Sequence, residues 1–435
     1  MPVLAVLLVL GPPALRRLTG GDGALAGIET YRYRFERATR GSITRALEAE
    51  IAFYQERIAR DPQRGLDRAS LGGAYLRMAR ATGDLSWYLL AEQAARRSIA
   101  NLPFSNDGAV IVLAKTAEAR HDFKEAIRLA GKVGAKEDAL AILVSANLAA
   151  GDVAAAGRAA EAMVTRAPTL GSLTLRALVN LARGRDDEAA QDFDQAIAAE
   201  EPGEPGASAY ARTLLGRFHA RRGRLELARA LYGEALNILP QYPPPLVGMA
   251  ELEARSGNYR AAERHLSQVV TISADPNVFD HVVFRGMGRL KALQGDPRGA
   301  TTLWDQAEAR LRRDVAEGSF GHRRELAHLL LERRRPGDEV EALTLMRAEV
   351  RARRDAETLS ILAWALFSND RLPESRGVMR EALRWRVRDA AMSYRAAIIE
   401  EALGNRAQAE AFFRSAAAID PTFDERTRRV LGMGY

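Results

Sequence analysis

The chain has no cysteine. Disulfides, thiol nucleophiles, lipoprotein acylation and cysteine-ligated metals are thereby excluded. Lysine is almost missing as well: Lys115, Lys124, Lys132, Lys136 and Lys291 are the full set, and every other basic residue is arginine. The net charge of +7 invites a polyanion-binding reading, but 56 acidic residues are interspersed among 63 basic ones, which describes a mixed, solvated surface. Aromatic residues are sparse at 6%, and few stand beside the arginine clusters of 310–355 to supply the stacking rings that RNA recognition uses. β-Branched runs are few and alanine is common, which favours closely packed helices.

Long apolar runs are also lacking. The N-terminal MPVLAVLLVLG falls short of the roughly 20 apolar residues that span a bilayer. With Ala24-Leu25-Ala26 as an A-x-A site, residues 1–27 fit an export signal, and the mature chain would then be exported or periplasmic. No basic residue precedes the apolar run, and the charged stretch GPPALRRLTGGDG separates it from that site, which fits a cytoplasmic chain with an apolar tail. Both readings stay open, export first.

What the chain does have is a beat. Corner residues fall at His121, Gly151, Gly184, Gly223, Gly257, Gly295, Asp370 and Gly404, mostly 30 to 39 residues apart, with one degenerate copy around RRPGDEVEALTLMRAEV. Five residues after most corners comes an alanine: Ala126, Ala156, Ala189, Ala228, Ala262, Ala300 and Ala409. Four further on stands a larger residue, as at Phe193, Tyr232, Leu266, Trp304 and Phe413, and Pro103, Pro168, Pro240 and Pro421 close several copies. Before the corners lie helical patterns with a small residue inside, such as Leu71-Gly72 with Tyr75, Leu215-Gly216 and Met287-Gly288. Small residues permit close helix crossings, a corner glycine takes positive φ without strain, and proline stops a helix.

From about residue 45 to 421 this pattern resembles the tetratricopeptide repeat family, whose unit is a helical hairpin of about 34 residues. The resemblance implies an all-α, right-handed α-solenoid of about ten hairpins across 28–435. Residues 200–208, EEPGEPGAS, form a candidate hinge, and 422–435 a capping helix.

No phosphate loop, dinucleotide fingerprint, HExxH or GxSxG motif occurs, and the six histidines are scattered. The expectation is a non-enzymatic chain with no catalytic, cofactor or metal site. The resemblance implies a protein–protein interaction scaffold, with first helices lining a groove for an extended peptide or a partner helix. By register Arg217, Arg221, Arg255, Arg285 and Arg289 face that groove, where guanidinium forks suit an acidic peptide. They also fit as ordinary solvated helix residues. Chaperone-binding members of the family use a lysine–asparagine–arginine clamp, whose asparagine sites here hold Arg217, Glu251 and Arg289. Trp364, Phe367 and Tyr394 offer either an apolar groove pocket or core filling. An RNA-binding array through the arginine-rich faces of 310–355 is the alternative function. On this reading, glutamate at Arg217, Arg285 and Arg289 weakens binding and leaves stability unchanged.

Overall fold

The structure, a computed structural model, describes residues 42–433 except 202, 204, 271–278 and 317–321. The apolar segment 1–27 and its reading as a signal lie outside the described residues. Among those residues the chain forms 22 helices and no strand. The helix α1 (Ser42–Arg60) stands alone. Hairpins follow: α2 (Gly65–Thr82) with α3 (Ser86–Asn101), α4 (Asp107–Ala119) with α5 (Phe123–Val133), and α6 (Glu137–Ala150) with α7 (Val153–Arg166). Next come α8 (Leu170–Ala182) with α9 (Asp186–Ala198), α10 (Pro205–Ala220) with α11 (Leu225–Ile238), and α12 (Pro243–Arg255) with α13 (Tyr259–Val270). The last four are α14 (Asp280–Leu293) with α15 (Pro297–Ala316), α16 (Arg323–Arg333) with α17 (Asp338–Glu349), α18 (Ala356–Phe367) with α19 (Leu372–Ala382), and α20 (Ala390–Ala402) with α21 (Arg406–Ile419). A short α22 (Glu425–Val430) ends the array, an all-α solenoid of ten hairpins.

The corners behave as the sequence requires. His121, Gly151, Gly184, Gly223, Gly257, Gly295, Asp370 and Gly404 all have positive φ, and the degenerate copy turns at Arg334 and Gly337 in the same region. The alanines that follow them are buried at 0–3% exposure. Tyr232 shows why small residues precede the corners. A Cβ added to Gly216 or Gly248 would lie 2.7 or 2.5 Å from its ring, so one tyrosine plugs the gap between two successive first helices. The candidate hinge at 200–208 is bridged by fully buried Arg212, which ion-pairs with Glu200 on one side and with Glu234 at 2.8 Å on the other.

The solenoid also touches itself one turn on, about six repeats later in the chain. The Arg354 amide donates to the Ala149 carbonyl at 2.8 Å, and the Arg384 guanidinium donates to the Gly151 carbonyl at 3.1 Å. At the next corner a Cβ on Gly184 would lie 2.1 Å from the Arg386 carbonyl oxygen, so a bare backbone is what lets the two turns meet. Asp186 beside it takes Arg222 at 2.7 Å and Arg388 at 3.4 Å. One repeat further, Gly223 abuts Asp420, and Arg255 bonds Asp420 and Thr422, each at 2.6 Å. The terminal helix α22 then packs on α12 and α14, with Val430 in the core around Leu246, Ala250 and Leu290. Successive corners thus receive successive inter-repeat connections. The seam between turns is mostly polar.

Candidate functional site

Inside the closed turn, groups from helices distant in sequence converge. Tyr210 on α10 feels Glu118 of α4 and Arg80 of α2. Arg217, seven residues on along the same stripe, feels Glu357 of α18. His121 at the α4–α5 corner feels Arg324, Glu325, His322 and Arg353. Every helical residue in this set sits on a first helix, so the first helices line the interior. Arg221 and Glu357 keep 44% and 54% of their side-chain surface accessible. The interior is an open, charged space and not a dry core.

The five arginines singled out from sequence meet different fates there. Arg221 reaches Asp389 at 3.2 Å across the seam. Arg255 is buried, with its guanidinium on Asp420 and on the Ala220 carbonyl at 3.0 Å. Arg285 and Arg289 share the carboxylate of Glu332, at 2.8 Å and 2.5 Å. Burial first, and then Arg289, lowers the Arg285 pKa to about 10. Arg217 alone is exposed to the interior with no ion pair or hydrogen bond among the described residues. Its pKa is lowered, first by the neighbouring Arg221 and then by burial. Glu357 is held at about 2, chiefly by Arg324, with Arg221 and Arg217 assisting against burial.

The aromatic trio does not form one pocket. Trp364 is buried in a core cluster and stacks on Phe367 at 4.6 Å. Tyr394 lies elsewhere, between Phe413 at 5.5 Å and Phe423 at 5.9 Å, with the Arg428 guanidinium over its face at 4.8 Å. In the arginine-rich stretch 310–355, Arg312 pairs with Glu308 and Glu341, Arg333 with Asp305 and Glu308, and Arg335 with Glu308 and Asp338. Tyr210, with 42% exposure to the interior, was not singled out from sequence, although its spacing to Arg217 places both on one helical face. Glu332, Glu357, Asp389 and Asp420 gave no such signal, because no position of the repeat pattern pairs them with their arginines. Those sit on the neighbouring first helix for Glu332 and Glu357 and many repeats away for Asp389 and Asp420.

Burial also sets a pH response. The His281 pKa falls to about 4 because its buried ring resists charging, with His322 and Arg285 opposing the proton and Glu325 and Asp314 favouring it. His121 and His219 fall to about 4 for the same first reason. The unfolded chain protonates these rings first as pH drops through about 6.5. Stability is therefore expected to fall from pH 6.5 towards 4 and to lose no more from them below it, with about 3 kcal/mol at most from His281. Urea midpoints against pH for wild type and His281→Gln check this; equal slopes would remove His281 from the account.

The family comparison bears on the same helices. A family model for the tetratricopeptide repeat matches residues 219–280, which hold the Gly223 and Gly257 corners and the Tyr232 plug. Residues 219–280 thus match the tetratricopeptide repeat. Among solved structures, this repeat array is similar to the human IFIT1 dimer with PPP-AAAA, at 14% identity over 86% of this chain and 87% of that one, with a TM-score of 0.47. It is also similar to a tetratricopeptide repeat protein from Parabacteroides merdae, at 16% identity over 55% and 93%, with a TM-score of 0.37. A third is the APC/C hetero-tetramer Cut9–Hcn1, at 13% identity over 90% and 93%, with a TM-score of 0.34. None of the curated proteins matches the sequence. Among the described residues, no helix is long and apolar enough to cross a membrane.

Proposed function

We propose that this protein is a non-enzymatic protein–protein interaction scaffold that holds an extended, carboxylate-bearing segment of a partner inside its closed turn, on the Tyr210–Arg217–Arg221 stripe. One observation carries the reading. Arg217 is a guanidinium open to the interior, in no ion pair among the described residues, whose charged state the adjacent Arg221 disfavours more than Glu357 favours it. An arriving carboxylate relieves that repulsion and gains charge-assisted hydrogen bonds, so binding is coupled to the local field. The exposed Tyr210 ring on the same stripe offers an apolar face to the segment beside the carboxylate. The interior also carries acids, Glu118, Glu251, Glu357 and Asp389 among them. That mixture supports a peptide of defined charge spacing over a uniform polyanion.

The test is fluorescence anisotropy with a labelled extended peptide bearing glutamates, against its glutamine counterpart. Arg217→Glu is expected to weaken the glutamate peptide at least about tenfold, or about 1.4 kcal/mol. Its melting temperature should stay at the wild-type value, because Arg217 holds no structural partner. Equal affinity of wild type and Arg217→Glu would sink the interior as the peptide site.

A further inference from the structure

A second surface lies on the other side of the hairpins. Between the second helices α19 and α21 runs a cleft of about 580 Å³. One wall is a single stripe of α21, Gln408, Phe412, Ser415 and Ile419, spaced at helical intervals. Ser415 and the nearby Ala418 are small, which leaves the space open. Leu383 and Val387 from the end of α19 and its connection supply the facing apolar surface. The stripe extends over about 16 Å at 1.5 Å per residue, so the cleft is a trough suited to a linear segment.

Charge decides what kind of segment. Arg380 and Arg386 stand on the rim, exposed and without an ion pair among the described residues. Arg388 completes the rim and is held loosely by Asp186 at 3.4 Å. The acid lining the cleft, Glu400, is buried, already neutralised by Arg376 at 2.8 Å, and accepts from the Asn405 amide at 2.7 Å. Apolar strips from Phe412, Ile419, Leu383 and Val387, set among Ser393, Gln408 and Ser415 under an unneutralised basic rim, complement a ligand that is apolar on one stripe and acidic on its flanks. We infer that this cleft docks a short amphipathic, acidic helix of a partner protein, with its apolar anchors against Phe412 and Leu383 and its carboxylates on Arg380 and Arg386.

The probe is a fluorescein-labelled helical peptide of about four turns, with leucine and phenylalanine on one stripe and glutamate on both flanks, and its glutamine counterpart. The full chain should bind the glutamate peptide at least about tenfold more tightly than the glutamine one, and Arg380→Glu should erase that preference. Phe412→Ala should weaken both peptides. Because Phe412 also packs on its neighbours, the exposed Arg380→Glu variant is the deciding one. Arg217→Glu should leave this peptide's affinity unchanged, which separates the cleft from the interior site. No saturable binding, equal affinity for the two peptides, or a loss caused by Arg217→Glu alone would overturn the assignment. So would a concentration-dependent dimer abolished by Arg380→Glu, since it gives the cleft to a second copy of the chain.

Discussion

Arg289→Glu is expected to destabilise the C-terminal half of the solenoid by about 3–5 kcal/mol, the scale for breaking a buried ion pair. Glu332 has 7% of its side chain exposed and is flanked by Arg285 and Arg289. Burial alone would raise its pKa, yet the two guanidiniums bring it below the ordinary carboxylate value. Reversing Arg289 leaves two carboxylates facing one arginine in a site with little water to screen them. It also removes the Arg289 bond to the Val430 carbonyl at 3.3 Å, a tie that holds α22 against α14. The sequence alone led to the opposite expectation, that charge reversal at Arg285 and Arg289 would spare stability; the Glu332 pairing corrects it. Urea unfolding with hydrogen exchange on α14, α16 and α22 measures the effect. An unchanged midpoint with unchanged exchange in α22 would refute it.

Arg255→Met should open the seam. The Arg255 side chain is 2% exposed and Asp420 3%, and their contact at 2.6 Å joins residues 165 apart in sequence. Methionine keeps much of the packing volume but donates nothing. Asp420 Oδ2 then loses its donor and keeps only the Thr422 amide and hydroxyl on its other oxygen, while the Ala220 carbonyl is left with the Gly223 amide alone at 3.2 Å. A loss of about 3–5 kcal/mol is expected, concentrated in the last repeats. Repeat arrays are stabilised largely by nearest neighbours, so the earlier hairpins should stay folded while the final turn detaches. Small-angle scattering should show a larger radius of gyration, and limited proteolysis should start cutting near residues 420–424. A variant with wild-type dimensions and wild-type cleavage would show that the seam does not depend on Arg255.

What the sequence could disclose follows from the range of each interaction. Corners, alanine crossings and the Tyr232 plug were legible because each repeats within one hairpin and its neighbour. The helix caps at Asp122, Asp152 and Asp355 are equally local, each accepting from an amide three residues on. Register picked out Arg255 and Arg289, but it could not show that the chain supplies their counter-ions. Those come from Asp420, 165 residues on, and from Glu332 in the next hairpin, and no position of the repeat pattern specifies an acid at either place. Trp364 is the mirror case: the groove-pocket alternative needed it open, whereas it stacks on Phe367 at 7% exposure. Arg217 was picked on the same register as the other four arginines. Its lack of a partner shows only once the turn has closed around it.

The pairing of corner Gly151 with Arg354, Gly184 with Arg386 and Gly223 with Asp420 fixes the phase of the array. An open solenoid grows or shrinks by one unit at its end with little consequence elsewhere. Here, removing or duplicating a single hairpin from α12 to α17 would slide each docking connection past its corner by a full repeat and bring the wrong side chains to every glycine. The closed turn makes length itself a specified property: this chain can gain exposed loops between helices, but it cannot change its number of intervening repeats without rewriting the seam.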